Sequence, residues 1–216
     1  MTTTQGWREK KKQATRRALR ESALQLARER GPENVRVEEI AEAAGVSPRT
    51  YNNYFPSREH AIVAAVTAER EAQVAAAIAA HPSATRLVDA ITDAIVEQYR
   101  APSEHHRDAL LLITTHPALR EVFLGSTSAM EHPLADAIAD RLEDTDERAA
   151  RVLAASVTAA VRIALDRWLR PATEPLAGTG LIMVSGALAD ELRAALSLLA
   201  PALDAAEEKS RTPVRR

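Results

Sequence analysis

The stretch Val37–Ala61 reads VEEIAEAAGVSPRTYNNYFPSREHA. Its first eight residues place Ile40, Ala41 and Ala44 on one side and Glu38, Glu39 and Glu42 on the other, the pattern of a short amphipathic helix over Val37–Ala44. Gly45 follows, where a helix exit needs a positive φ. Ser47 can cap the next helix, and Pro48 suits its first position, where the backbone N–H has no intrahelical partner. Pro56 closes that helix. Ser57 can cap another, with Glu59 favoured in its first turn by the helix dipole. Two short helices about a glycine turn are a helix-turn-helix, whose second helix lies in the major groove of DNA. Val37, Ser47, Arg49, Thr50, Tyr51, Asn52, Asn53 and Tyr54 are therefore the candidate DNA contacts. A solvated face and a cap would account for any one of them. Two adjacent asparagines inside a helix are poor for propensity, however, and solvation explains them badly. Ile40, Ala44, Val46 and Phe55 read as the small core of this head.

The charge pattern agrees. The chain has 216 residues and a net charge of −2. Its first 60 residues hold twelve Lys and Arg against eight Glu, a balance of +4, which leaves −6 for the remainder. A basic end on an acidic body orients in the field of a polyanion. The run Arg8, Lys10, Lys11, Lys12, Arg16, Arg17 could be a solvated helix end. Beside a helix-turn-helix, Lys11, Lys12 and Arg16 are better read as clamps on phosphates flanking the groove.

The rest of the chain reads as all-α. Alanine is abundant, aromatic residues make up 3%, and no long stretch alternates with period two. The first helix should run from Trp7 to Arg30, with Leu19, Ala23, Leu26 and Ala27 as its stripe and Gly31-Pro32 as its stop. Further helices are expected over Ser57–Ala80, Ala84–Arg100, Glu104–Thr115, Pro117–Leu124, Ser128–Glu143, Asp146–Leu169 and Thr179–Leu199, about nine in total. Residues 1–60 should form the DNA-binding head and 61–203 the body. Residues 204–216 read as a charged, disordered tail.

Cysteine is absent, which excludes disulfides, thiol catalysis and Cys-based zinc sites. His81, His105, His106, His116 and His132 share no metal-ligand spacing, so no metal or cofactor is expected. Positive charge at the N-terminus has no apolar region after it, and no apolar run approaches bilayer length, so a cytoplasmic protein without a membrane partner is expected.

Ala41-Glu42-Ala43-Ala44-Gly45-Val46-Ser47, then Tyr54-Phe55, then Ser57-Arg58-Glu59, together resemble the N-terminal module of the tetracycline-repressor (TetR) family of transcription regulators. The match in residue detail covers about the first quarter of the chain. Beyond it the resemblance is one of helix number and length. It implies a three-helix head on a larger helical body that binds an effector and dimerises. Two positions depart from the family pattern. Arg58 stands where the family has lysine, and Arg can still grip a phosphate bidentately. Asn52 stands where the family has an aromatic, and Asn can pair with adenine.

One helix-turn-helix makes few contacts, so a homodimer on a palindromic operator is expected. The last two long helices offer the means through Val157, Val161, Leu181, Ser185, Leu188 and Leu192, in a four-helix bundle across a two-fold axis. Completion of the monomer core is the competing reading of these positions. The resemblance also implies a small effector in the body. Tyr99, Leu111, Phe123, Met130 and Trp168 are its candidate lining, as large side chains in an alanine-rich body, although each serves equally well as ordinary core. Scarce aromatics favour an apolar effector. A DNA-binding protein without an effector, and a small helical enzyme, are the alternatives. No G-x-S-x-G, phosphate loop or thiol supports the enzyme.

Overall fold

A computed structural model describes residues 3–67, 70–100, 110, 112–142, 146–169 and 188–211. All regular structure among them is helical: eleven α-helices and two short 3-10 turns. Helix α1 spans Thr3–Arg30, α2 Val37–Ala43, α3 Pro48–Asn52, α4 Arg58–Thr67, α5 Arg70–Ala80, α6 Leu87–Arg100 and α7 Pro117–Gly125. They are followed by α8 Glu131–Arg141, α9 Glu147–Leu169, α10 Leu188–Ser197 and α11 Ala200–Arg211.

Two compact units divide the chain. One is residues 1–68 with 103–123; the other is 69–102 with 124–216. The head thus reaches further than residue 60, because α4 lies along α1 and buries Ala61, Ile62, Val63 and Val66. In this first unit Leu19, Ala23 and Ala27 of α1 are fully buried, as their four-residue spacing requires. Val35, Ile40, Ala41, Tyr51 and Phe55 join them. Of the helix expected over Glu104–Thr115, only Leu110 and residues 112–115 are described. Ile113 is fully buried; Leu111 lies outside the described residues.

The second unit is built around α6, which packs against α5, α10 and α11 and buries Leu87, Val88, Ala90, Ile91, Ala94, Ile95 and Val96. Such wide burial exceeds the single stripe of an amphipathic surface helix. The break expected at His81-Pro82 is present and is tied down from α8. Arg141 donates to the carbonyls of Ile78, His81, Pro82 and Thr85, acceptors freed where α5 ends. Pro133 sits in the first turn of α8, where its missing N–H costs nothing.

The tail is a correction. Residues 204–211 are not a disordered end but the larger part of α11, which starts at Ala200 with Pro201 in its first turn. Leu203 and Glu207 are buried. The Glu207 carboxylate accepts from the Leu87 backbone N–H at 3.2 Å and from Arg211 at 2.8 Å, while Asp204 pairs with Arg86 at 2.7 Å. That pairing raises the Arg86 guanidinium above its ordinary range. A charged tail is thereby ordered by capping the start of α6, a partner the local sequence does not reveal.

Candidate nucleic-acid interface

The turn between α2 and α3 is made as its residues require. Gly45 has φ +69°, its N–H bonds the Glu42 carbonyl, and the Val46 N–H bonds Ala41. Ser47 has extended backbone, and its hydroxyl accepts from the Thr50 N–H at 3.1 Å. Pro48 begins α3. These features orient a helix of one and a half turns whose two faces differ sharply. Ser47, Pro48, Arg49, Asn52 and Asn53 are exposed. Thr50 is half-buried, with its hydroxyl 2.9 Å from that of Ser47. Tyr54 is half-buried too.

Tyr51 is a correction to the set of candidate contacts. Its side chain is fully buried, its ring centre lies 5.9 Å from that of Phe55, and its hydroxyl donates to the Ser57 carbonyl at 2.8 Å. Burial, with Glu59 nearby, pushes its phenol up to about 12. Tyr51 therefore anchors α3 and has no free edge for a base. The asparagines also stand differently from the expectation. Asn52 ends α3 and Asn53 is its C-cap, so neither is in a helix interior. Helix propensity gives no argument there; their exposure does.

Arg58 is the second correction. It points into the head rather than out to a phosphate. Nη1 donates to the carbonyls of Glu33 and Val35, both at 2.9 Å, and Nε donates to Glu59 at 2.8 Å. Arg58 thus holds the turn between α1 and α2 against the start of α4. Burial opposes the charge of Glu59, yet hydrogen bonds from the Ser57 hydroxyl and Arg58 hold its carboxyl below the ordinary range. Glu33 also faces His116, whose Nε2 lies 3.3 Å from its carboxylate. At α2, Glu39 accepts from the Arg36 N–H at 2.9 Å and from Arg30 at 2.9 Å, which lowers its carboxyl likewise. Glu59 stands in the first turn of α4, where the helix dipole favours it, but its bonds to Ser57 and Arg58 were not read from the sequence, nor was any role for Glu33; Glu39, read only as part of an exposed face, carries a local signal three residues after its N-cap.

Val37 is half-buried at the first position of α2. Lys11, Lys12 and Arg16 are exposed along α1, where the Arg16 guanidinium lies over the Phe55 ring at 5.5 Å. The side chains near α3 therefore sort into an inner set (Tyr51, Phe55, Arg58) that positions the helix and an outer set (Ser47, Arg49, Asn52, Asn53) free to meet a groove.

In the second unit, Met130 is buried, and Tyr99 and Trp168 are half-buried. Phe123, fully buried, belongs to the first unit. Two cavities are lined by other residues. One of 510 Å³ is bordered by Glu131, Arg148, Arg151, Val152 and Ala155 among others. The other, of 740 Å³, is lined by Ala75, Ala76, Ala79, Pro133 and Ala137 together with His81, Asp136, Asp140 and Arg141. Among the described residues no group of three His, Asp or Glu is placed to hold a metal ion, and no helix is long and apolar enough to cross a membrane.

The candidate dimer residues need a correction as well. Val157, Val161 and Leu192 are fully buried within this one chain, so they are core rather than interface. Leu188 is half-buried, and Leu181 and Ser185 lie outside the described residues. The reading of these positions as monomer core was the competing one, and it holds for the three buried side chains.

A helix-turn-helix head of this geometry has close relatives. The family model for "Bacterial regulatory proteins, tetR family" matches residues 19–65, and the model for "MftR C-terminal domain" matches residues 82–204, more than half of the chain. The chain belongs to the TetR family. This TetR-family protein is 30% identical over 178 residues to the HTH-type transcriptional regulator TcmR of Streptomyces glaucescens, an alignment that covers 76% of each chain. Its fold is similar to that of Thermus thermophilus FadR, a TetR-family transcriptional repressor solved with lauroyl-CoA. The TM-score is 0.50 and the identity 24%, over 85% of this chain and 92% of that one. The protein is a TetR-family transcriptional regulator with an N-terminal DNA-binding domain, a family of regulators rather than enzymes.

Proposed function

We propose that this regulator is a ligand-responsive repressor that binds a palindromic operator as a homodimer and is released by a small apolar effector. The observation that carries the reading is the exposed polar face of α3, Ser47, Arg49, Asn52 and Asn53, set on a base locked by Tyr51 and Arg58. Asn can pair with adenine and Arg with guanine or phosphate, so the face has the donors and acceptors that groove readout needs. Lys11, Lys12 and Arg16 supply phosphate contacts, which set affinity and salt dependence.

The dimer face follows from the side of α9 that the chain leaves uncovered. Val152, Ala155, Ala159 and Ile163 form one exposed stripe at spacings of three, four and four, with Val152 58% and Ile163 52% exposed. Leu198, just after α10, is 79% exposed. Small residues at the middle of the stripe permit close helix approach, and an uncovered apolar stripe marks an interaction site. A second copy doubles the DNA contacts, with half-sites spaced by about 34–36 Å or a multiple of it.

An apolar effector is supported by the alanines that line one part of the cavity between α5 and α8, beside His81, Asp136, Asp140 and Arg141, and by the scarcity of aromatic side chains. A neighbour of the same fold, T. thermophilus FadR, is known in complex with lauroyl-CoA. An effector works only through differential affinity, favouring the arrangement of heads that does not fit the operator. The test is anisotropy titration of a duplex selected by the protein from a random pool, with and without saturated acyl-CoA esters. The expected result is a Kd raised about tenfold or more by one chain length, within the range of allosteric coupling. If no acyl-CoA and no small apolar compound moves Kd, the protein is a DNA-binding regulator without an effector of this class.

A further inference from the structure

The turn between α1 and α2 is held through its backbone and through one side chain. Arg58 takes the Glu33 and Val35 carbonyls, and the Asn34 amide donates to the Arg30 carbonyl at 2.7 Å. The Glu33 carboxylate folds back over Gly31, where a Cβ would lie 2.7 Å from Oε1. In that pose Oε1 accepts from the Asn34 amide at 3.4 Å, and Oε2 faces His116 Nε2 at 3.3 Å. His116 directly precedes α7 and belongs with Glu33 to the first unit. Its other ring nitrogen, Nδ1, lies 3.0 Å from the Leu112 carbonyl and 3.0 Å from the Thr115 hydroxyl. The ring thus stands between a carbonyl and a carboxylate, both acceptors. An imidazolium suits both, because each nitrogen carries a proton. A neutral ring has one proton to place. With it on Nδ1, a lone pair faces Glu33. With it on Nε2, Nδ1 takes the Thr115 proton and turns a lone pair to the Leu112 carbonyl. In both neutral forms the contact with Glu33 is no longer an ion pair.

We propose that His116 and Glu33 form a proton-dependent latch on the α1–α2 turn, closed when His116 is charged, which steadies α2 and α3 and tightens operator binding in mild acid. The inference rests on the reading of α3 as the groove-facing helix. The path from the latch to α3 is short. Glu33 lies in the turn that leads through buried Val35 into α2, and α2 packs against both α1 and α3. A turn braced beforehand leaves less to be ordered when DNA binds. Other charged groups surround the pair. Arg58 holds the Glu33 carbonyl and carries Glu59 with it. On α1, Arg30 pairs with Glu39. On α7, the Arg120 N–H bonds the His116 carbonyl. Of these residue types, histidine is the one that changes charge near neutral pH. His60, on α4 with Nδ1 3.0 Å from the Ser57 hydroxyl, is the other described histidine of this unit. The His116 and Glu33 side chains are 33% and 60% exposed, so their pair is screened and its effect is a few-fold rather than all-or-none.

The test uses the full-length protein, its His116→Gln and Glu33→Gln variants, and the double variant, all at low salt. Anisotropy gives Kd at about pH 6 and about pH 8 for a duplex that the parent selects from a random pool and for an unselected duplex. On acidification the parent should gain about threefold more affinity for the selected duplex than any variant does. The double variant should match either single one, since both remove the same contact. Comparison across variants cancels what His60 and the overall charge contribute, and the unselected duplex should not tell the proteins apart. In the free protein, amide protection factors over residues 33–36 and α2 should rise on acidification in the parent and stay level in the variants. Equal acid gains in the parent and His116→Gln, with equal protection, overturn the latch and leave the reading of α3 standing. A larger acid gain in His116→Gln than in the parent overturns it too. Should the parent select no duplex at all, the reading of α3 fails, and protection factors that ignore pH then overturn the latch by themselves.

Discussion

Replacing Arg58 with alanine removes three hydrogen bonds at once: two to the carbonyls of Glu33 and Val35 and one to Glu59. Arg58 is 34% and Glu59 20% exposed, so their ion pair is screened and contributes at most about 1 kcal/mol. The two bonds to carbonyls are charge-assisted and contribute about 1 kcal/mol each after exchange with water. The expected loss is therefore about 2–3 kcal/mol. Arg58→Lys keeps the charge but replaces a fork by a point, so it should lose about half as much. Two assays check this. Urea unfolding should show a lower midpoint with an unchanged slope for both variants. Anisotropy titration across salt concentrations should show weaker binding of the selected duplex and little change for random DNA, because α3 is displaced rather than a charge removed. The salt slope should stay as it is. The reasoning is refuted if Arg58→Lys matches the parent in stability and affinity while Arg58→Ala lowers the salt slope by about 0.9, the signature of one lost phosphate contact.

Tyr51→Phe deletes the bond to the Ser57 carbonyl and should cost about 1 kcal/mol. Because the Tyr51 phenol is pushed up from 10 to about 12 in the folded chain, its contribution is whole below pH 10 and is lost as pH rises through 12. An alkaline unfolding series should show that loss in the parent and not in the phenylalanine variant. Ile163→Asp places a charge in the exposed α9 stripe; sedimentation should show a monomer at micromolar concentration with helicity retained, and a persistent dimer would remove this face from the interface. Glu207→Ala uncaps the start of α6 and should cost about 1–2 kcal/mol. Hydrogen exchange should then quicken in residues 200–211 and at the start of α6, and protection equal to the parent in both would refute the capping role.

How much of this molecule could be read along the chain depends on how far each signal reaches. Gly31 and Gly45 have the positive φ their places require, Ser47 caps α3, and Pro48 begins it. Each involves partners within a few residues, so composition and spacing were enough. The helical class, the head and the family were legible for the same reason. Partners distant in sequence were not. Tyr51 and Asn52 are adjacent and both polar-tipped, yet packing against Phe55 and the Ser57 carbonyl turns one inward while the other faces out. Arg58 reads as a phosphate ligand until Glu33 and Val35, over twenty residues earlier, are seen beside it. On α9 an apolar stripe is wide enough to serve either core or interface. Only the positions of α8 and α10 put Val157 and Val161 inside and leave Val152 and Ile163 uncovered. The charged end is a packed helix whose Glu207 accepts from the Leu87 N–H, 120 residues away. A chain reports its local hydrogen-bond needs in order, but which buried partner satisfies a long side chain is settled only when helices remote in sequence come to lie side by side.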